Sequence, residues 1–134
     1  MELEEALVAY LLEYPGLTTL IGQRLYPDEL SQGEKLPAVL YFKVSDVKDH
    51  TLAGQNKLER PIFQMTVFAV TKTDARAVAN KIKTALNDYV GFMGGIFIQK
   101  IELQNELSNL ETSSDGIIKV YTEDLEYQIN YIKG

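Results

Sequence analysis

The sequence has no cysteine and a single histidine in 134 residues. Without cysteine there can be no disulfide, thiolate metal site or cysteine nucleophile. That agrees with a reducing compartment. One histidine, His50, excludes any two-histidine metal motif and leaves a catalytic triad one candidate base. No apolar run approaches the roughly 18 residues of a membrane helix. Glu2, Glu4 and Glu5 give the start of the chain the wrong charge for a secretory signal, so export by that route is not expected.

Basic charge is also scarce. The net charge is −6 and the isoelectric point about 4.8. Residues 100–126 carry Glu102, Glu106, Glu111, Asp115, Glu123, Asp124 and Glu126 against only Lys100 and Lys119. A nucleic-acid binder neutralises phosphates with a basic patch, so tight binding to a DNA backbone is not expected. An acidic surface suits a wall past which DNA slides without adhering.

What is present is enough apolar residue, 46%, for one core, in a length typical of one domain, here residues 1–134. Leu3, Ala6, Leu7, Tyr10, Leu11 and Tyr14 recur at helical spacing, which predicts an amphipathic helix over 2–14 stopped by Pro15-Gly16. Leu17–Ile21 is a short apolar segment, long enough for one more helical turn. Residues 23–36 read as irregular. From Pro37 the period becomes two, with Ala38, Leu40, Phe42 and Val44 on the apolar face of a strand, and Lys43 and Ser45 opposite.

A second strand, 62–70, places Phe63, Met65, Val67 and Ala69 on one face. The polar connection between these two strands, Asp49–Arg60, much exceeds the usual hairpin loop, which marks it for function. Thr73 is the expected cap of a helix to about Tyr89, with Ala75, Val78, Ala79, Ile82, Leu86 and Tyr89 as its apolar stripe. A third strand, 96–103, is expected to carry Phe97, Ile101 and Leu103 on one side and Ile96 and Ile98 on the other. Gln104–Gly116 reads as a polar stretch. In the last strand Leu125, Tyr127, Ile129 and Tyr131 alternate with Asp124, Glu126, Gln128 and Asn130. The expected class is therefore α+β: a mostly antiparallel four-stranded sheet with two helices packed on it, in α-β-β-α-β-β order.

No catalytic arrangement emerges. His50 follows Asp46 and Asp49, but a strand running into a polar loop usually leaves such a histidine solvated. Gly91, Gly94 and Gly95 lack the lysine and hydroxyl of a phosphate loop and serve to turn the chain. Glu123 is expected to point away from Asp124 and Glu126. Tyr127 and Tyr131 share the face of Leu125 and Ile129, so packing outweighs base stacking. No cofactor, metal or catalytic residue is expected. Long loops and edge strands suit an interaction protein.

Taken in order, these segments resemble the tail completion, or tail-to-head joining, proteins of siphophages. The resemblance rests on the N-terminal helix, the apolar turn ending at Gly22, and Arg24-Leu25-Tyr26-Pro27. It continues through Leu36-Pro37-Ala38-Val39, the Phe63–Ala69 strand, the alanine-rich Asp74–Ala79 segment, and Asp115-Gly116 before Glu123–Tyr127. Asn105–Ser114 is longer and more polar than that pattern.

The resemblance implies a non-enzymatic virion protein at the head–tail interface, assembled in the host cytoplasm. It would form a ring, taken as hexameric, that caps the tail tube and docks on the head connector or stopper. Its partners would be the tail tube protein, the connector and further copies of itself, with DNA passing the lumen unbound and no membrane. Candidate contact residues are Asp49, His50, Thr51, Leu52, Gln55, Asn56 and Lys57, and candidate lumen-facing acids are Asp124 and Glu126. The alternatives are another ring-forming virion component, such as a head-side stopper or minor tail protein, and a ligand or enzymatic module centred on His50.

Overall fold

The computed structural model describes residues 2–29, 35–48, 58–112 and 119–132. Helix α1 spans Leu3–Leu12, and its first turn is tied down where the Glu5 carboxylate accepts from the Glu2 N–H. Pro15 does not simply end this helix. It opens a second one, α2, at Pro15–Ile21, because a proline costs no hydrogen bond in a helix's first turn. Leu3, Ala6, Leu7 and Leu11 of α1 and Leu17 and Ile21 of α2 are all buried.

Six strands follow around a third helix: β1 Leu25–Pro27, β2 Ala38–Lys48 and β3 Leu58–Ala69, then α3 Lys72–Leu86, then β4 Gly91–Met93, β5 Ile96–Thr112 and β6 Lys119–Ile132. They form one sheet in the order β1-β2-β3-β6-β5-β4. β1 runs parallel to β2, and the other neighbours are antiparallel. The expected four-stranded, two-helix class is thus overturned by a mixed, curled six-stranded sheet with three helices. The physical reason is length: β1 and β4 are three residues each, too short to show a period of two. Gly94 and Gly95, at φ 58° and 86°, supply the two positive dihedrals that a tight β4–β5 hairpin turn demands.

The expected cap also moves. Thr71, not Thr73, caps α3, its hydroxyl accepting from the Asp74 N–H at 3.1 Å. The expected stripe is correct as far as Leu86, with Ala75, Val78, Ala79, Ile82 and Leu86 buried. These meet Phe63, Met65 and Val67 of β3 and Leu125, Tyr127 and Ile129 of β6 in one core. Two hydrogen bonds add direction to this packing, one between α1 and α3 and one between β6 and the end of α3. Tyr10 Oη donates to the Ala85 carbonyl at 2.7 Å, and Tyr127 Oη donates to Asn87 Oδ1 at 3.2 Å.

Three bulges reset the faces. In β2 the register shifts at Val44, and in β5 it shifts at Gln99 and Gln104. Apart from Ala38, which is buried, burial in β2 runs opposite to expectation. Val39 is fully buried and Tyr41 packs on the core, whereas Leu40 and Phe42 are only half-buried and Val44 is 48% exposed. The bulge at Gln99 separates Phe97 from Ile101 and Leu103, which instead share the core side with Ile98. β5 then continues through the stretch read as polar loop, as far as Thr112.

Truncating Ile82, which has no exposed surface, to alanine should lower unfolding free energy by about 2–5 kcal/mol in urea titrations. Thr71→Ala should cost about 1 kcal/mol. Burial pushes the Tyr127 phenol above the usual tyrosine range, and the nearby Glu106 carboxylate adds to the shift. A raised folded-state value means that stability is intact below the unfolded tyrosine value of about 10 and declines above it. Melting temperatures followed from pH 9 to about 11 should fall, and Tyr127→Phe should flatten that fall.

Candidate interaction surface

All three helices pack on one side of the sheet, and among the described residues no helix covers the other. Residues opposite one another in a ladder share a face, so the register fixes what the helix-free side displays. At one end it holds an apolar row crossing four strands. Phe92 of β4 lies beside Phe97 of β5, Phe97 beside Ile132 of β6, and Ile132 beside Leu58 of β3. Phe92 is 70% exposed and Ile132 38%. The two phenylalanine rings meet edge to face, with centroids 5.2 Å apart.

The centre of the same face is mainly polar, Leu107 and Ile62 apart, and bears acids. Asp124 stands between Thr66 and Leu107, and Glu126 between Gln64 and Asn105. Both acids are half-buried. Nearby on β5, Lys100 and Glu102 form a 2.7 Å ion pair. The hydrogen bond and charge of Glu102 hold the lysine above its usual range. Asn130 Oδ1 on the same face is buried and, among the described residues, accepts no hydrogen bond. Toward the β2 edge the face becomes apolar again, with half-buried Leu40, Phe42 and Phe68.

The residues singled out from sequence separate into two groups. Asp124 and Glu126 lie on this open face, two residues apart on a strand whose neighbours on both sides are paired. Glu123 points to the helix side and is 4% exposed, as its parity requires. Asp49, His50, Thr51, Leu52, Gln55, Asn56 and Lys57 lie outside the described residues, as does the Asp115-Gly116 turn. Sequence reasoning missed the apolar row because the bulge at Gln99 turns Phe97 away from Ile101. The one available signal was the glycine pair beside Phe92 and Phe97, which brings those two rings together.

No helix among the described residues is long and apolar enough to cross a membrane. No protein of curated function matches the sequence. A chain in the structure titled "Virion of native gene transfer agent (GTA) particle" has the same fold at a TM-score of 0.74. That likeness covers 98% of this chain and 95% of the other at 16% identity, which speaks to fold alone. The family model described as tail completion protein gp17 matches residues 5–116. With that match spanning most of the sequence, the chain belongs to the gp17 family of tail completion proteins.

Proposed function

We propose that this chain caps a finished tail tube and joins it, as a ring, to the connector of the head. Membership of the tail completion family makes it a structural phage tail component that resides in the virion and associates with other virion components. The ring, its six-fold count and the joining step are our reading. The observation that carries the reading is the helix-free sheet face, with acids at its centre and apolar rows at its margins. A ring that ends polymerisation must bind tube subunits on one side and offer a different surface on the other. A face divided into acidic and apolar zones supplies chemically distinct surfaces within one small domain. Asp124 and Glu126, held upright between neighbouring strands, would present carboxylates toward passing DNA and limit its adhesion.

Deleting the gene should leave filled heads and separate tails in electron micrographs, and joined virions from such a mutant would end the proposal. Shortening the 49–57 connection should block complementation while the far-ultraviolet circular dichroism of the purified chain stays unchanged. His50→Ala should leave the yield of viable particles intact. Replacing Asp124 and Glu126 together by lysine should still yield joined particles but slow DNA release, measured as delayed ejection that added salt partly restores. Unaltered ejection kinetics would remove these acids from the lumen.

A further inference from the structure

Where α3 begins at Lys72, the far ends of β5 and β6 run past it and a cavity of about 330 Å³ opens on the helix side of the sheet. Its walls include Lys72, Leu110 and Tyr121, and its lining includes Ser108 and Glu123. Glu123 is 4% exposed, and among the described residues its one hydrogen bond comes from the Ser108 hydroxyl, 2.6 Å from Oε2. A carboxylate offers about four acceptor positions, and a charge this buried is costly without a cationic or multiple hydrogen-bonded partner. Lys72 lines the same cavity, and among the described residues it forms no ion pair with Glu123. The site is therefore a buried carboxyl group at the wall of an open cavity, with half of its hydrogen-bonding capacity or more unused by the described residues.

We propose that this cavity receives an arginine side chain from another protein of the virion, an inference that rests on the tail-component reading. The carboxylate repels phosphates and other anions, and a lone carboxylate is a poor metal site. A guanidinium matches it in charge and can engage both oxygens, while Leu110 and Tyr121 offer apolar surface to the aliphatic stem and a ring to the planar head.

Simple strand addition along β5 fits less well. The N–H groups of Glu106 and Leu110 are already taken by the side-chain carbonyls of Asn105 and Asn109, at 3.0 and 2.9 Å, which blunts that edge. A second copy of the chain also fits less well. Arg24 is engaged by the Pro37 and Leu20 carbonyls, and Arg60 has its own interaction. Arg76 lies one helical turn from Lys72, so its insertion would bring two basic helix starts together.

The full chain, isotope-labelled, is titrated with Nα-acetyl-arginine amide, with Nα-acetyl-norleucine amide as the apolar control. Saturable shifts of the Ser108, Leu110 and Thr122 amides are expected with the arginine probe only. Glu123→Gln should weaken binding about tenfold or more, as loss of a charged hydrogen-bond partner does. Ser108→Ala, which keeps the acid and frees its second oxygen, should tighten binding. Absent shifts, an equal response to norleucine, or unchanged affinity in Glu123→Gln would overturn the proposal. If Glu123→Gln does not fold, unchanged or weaker binding in Ser108→Ala overturns it. Sedimentation supplies the remaining arm: self-association abolished by both Arg76→Glu and Glu123→Gln would make a second copy the occupant, against the proposal. These readouts concern the isolated chain, so they stand apart from the particle assay that tests tail joining.

Discussion

The two-sided pairing of β6 is the constraint on which the rest depends. This strand bonds to β3 along one side and β5 along the other over nearly its whole length. Its phase is fixed by Leu125, Tyr127 and Ile129, each with no exposed surface. A slip of one residue would lift all three out of the core and drive Asp124, Glu126 and Gln128 into it. Tyr127 adds a directional term, since its hydroxyl must reach Asn87 at the end of α3. The acids on the far face stand where they do because of what the near face buries.

Bulges then decide which residues of the flanking strands join each face. β5 carries two within six residues, at Gln99 and Gln104, and each adds one residue that the partner strand does not match. Between them, Lys100 and Glu102 fall on the open side and Ile101 and Leu103 on the core side. Beyond the second, Asn105 and Leu107 are open, and Glu106 returns to the helix side, where it meets Lys83 at 2.9 Å. The bulge in β2 does the same for Val44. Bulges also increase local twist, consistent with a sheet that curls.

This explains which parts of the structure were legible in the sequence. The stripe of α3 through Leu86 and the alternation of β6 are uninterrupted, and both read correctly. In β3 the apolar set Phe63, Met65, Val67 and Ala69 was likewise correct, because no bulge falls within it. In β2 the apolar set was real but belonged to the open face, since both faces of that strand carry apolar residues, Leu40 and Phe42 on the open side and Val39 and Tyr41 on the core side. The far half of β5 was unreadable because its side chains from Gln104 to Thr112 are exposed. A strand exposed on both faces has no reason to alternate. That Asp124 and Glu126 share the face opposite Leu125 and Tyr127 follows from parity alone, whereas the Glu123 cavity needs tertiary structure, because it is made by Lys72 meeting a hairpin whose residues lie far along the chain.

An uncovered sheet face can be left to water or reserved for a partner, and its composition distinguishes the two. A solvated face of an antiparallel sheet is polar throughout. Here only the central band is mainly polar, while the row from Phe92 to Leu58 and the Leu40–Phe42–Phe68 margin are apolar at opposite parts of the same surface. Contiguous exposed apolar side chains mark contact sites rather than scattered surface residues, and a 70% exposed phenylalanine packed against a second one is hard to explain by monomer stability. Two apolar margins separated by a charged band cannot be covered by one small partner without burying Asp124 and Glu126 against it. Covering each margin by a different neighbour leaves the acids facing open space. That is the arrangement our proposed ring requires, a chain flanked on two sides with its acidic band free.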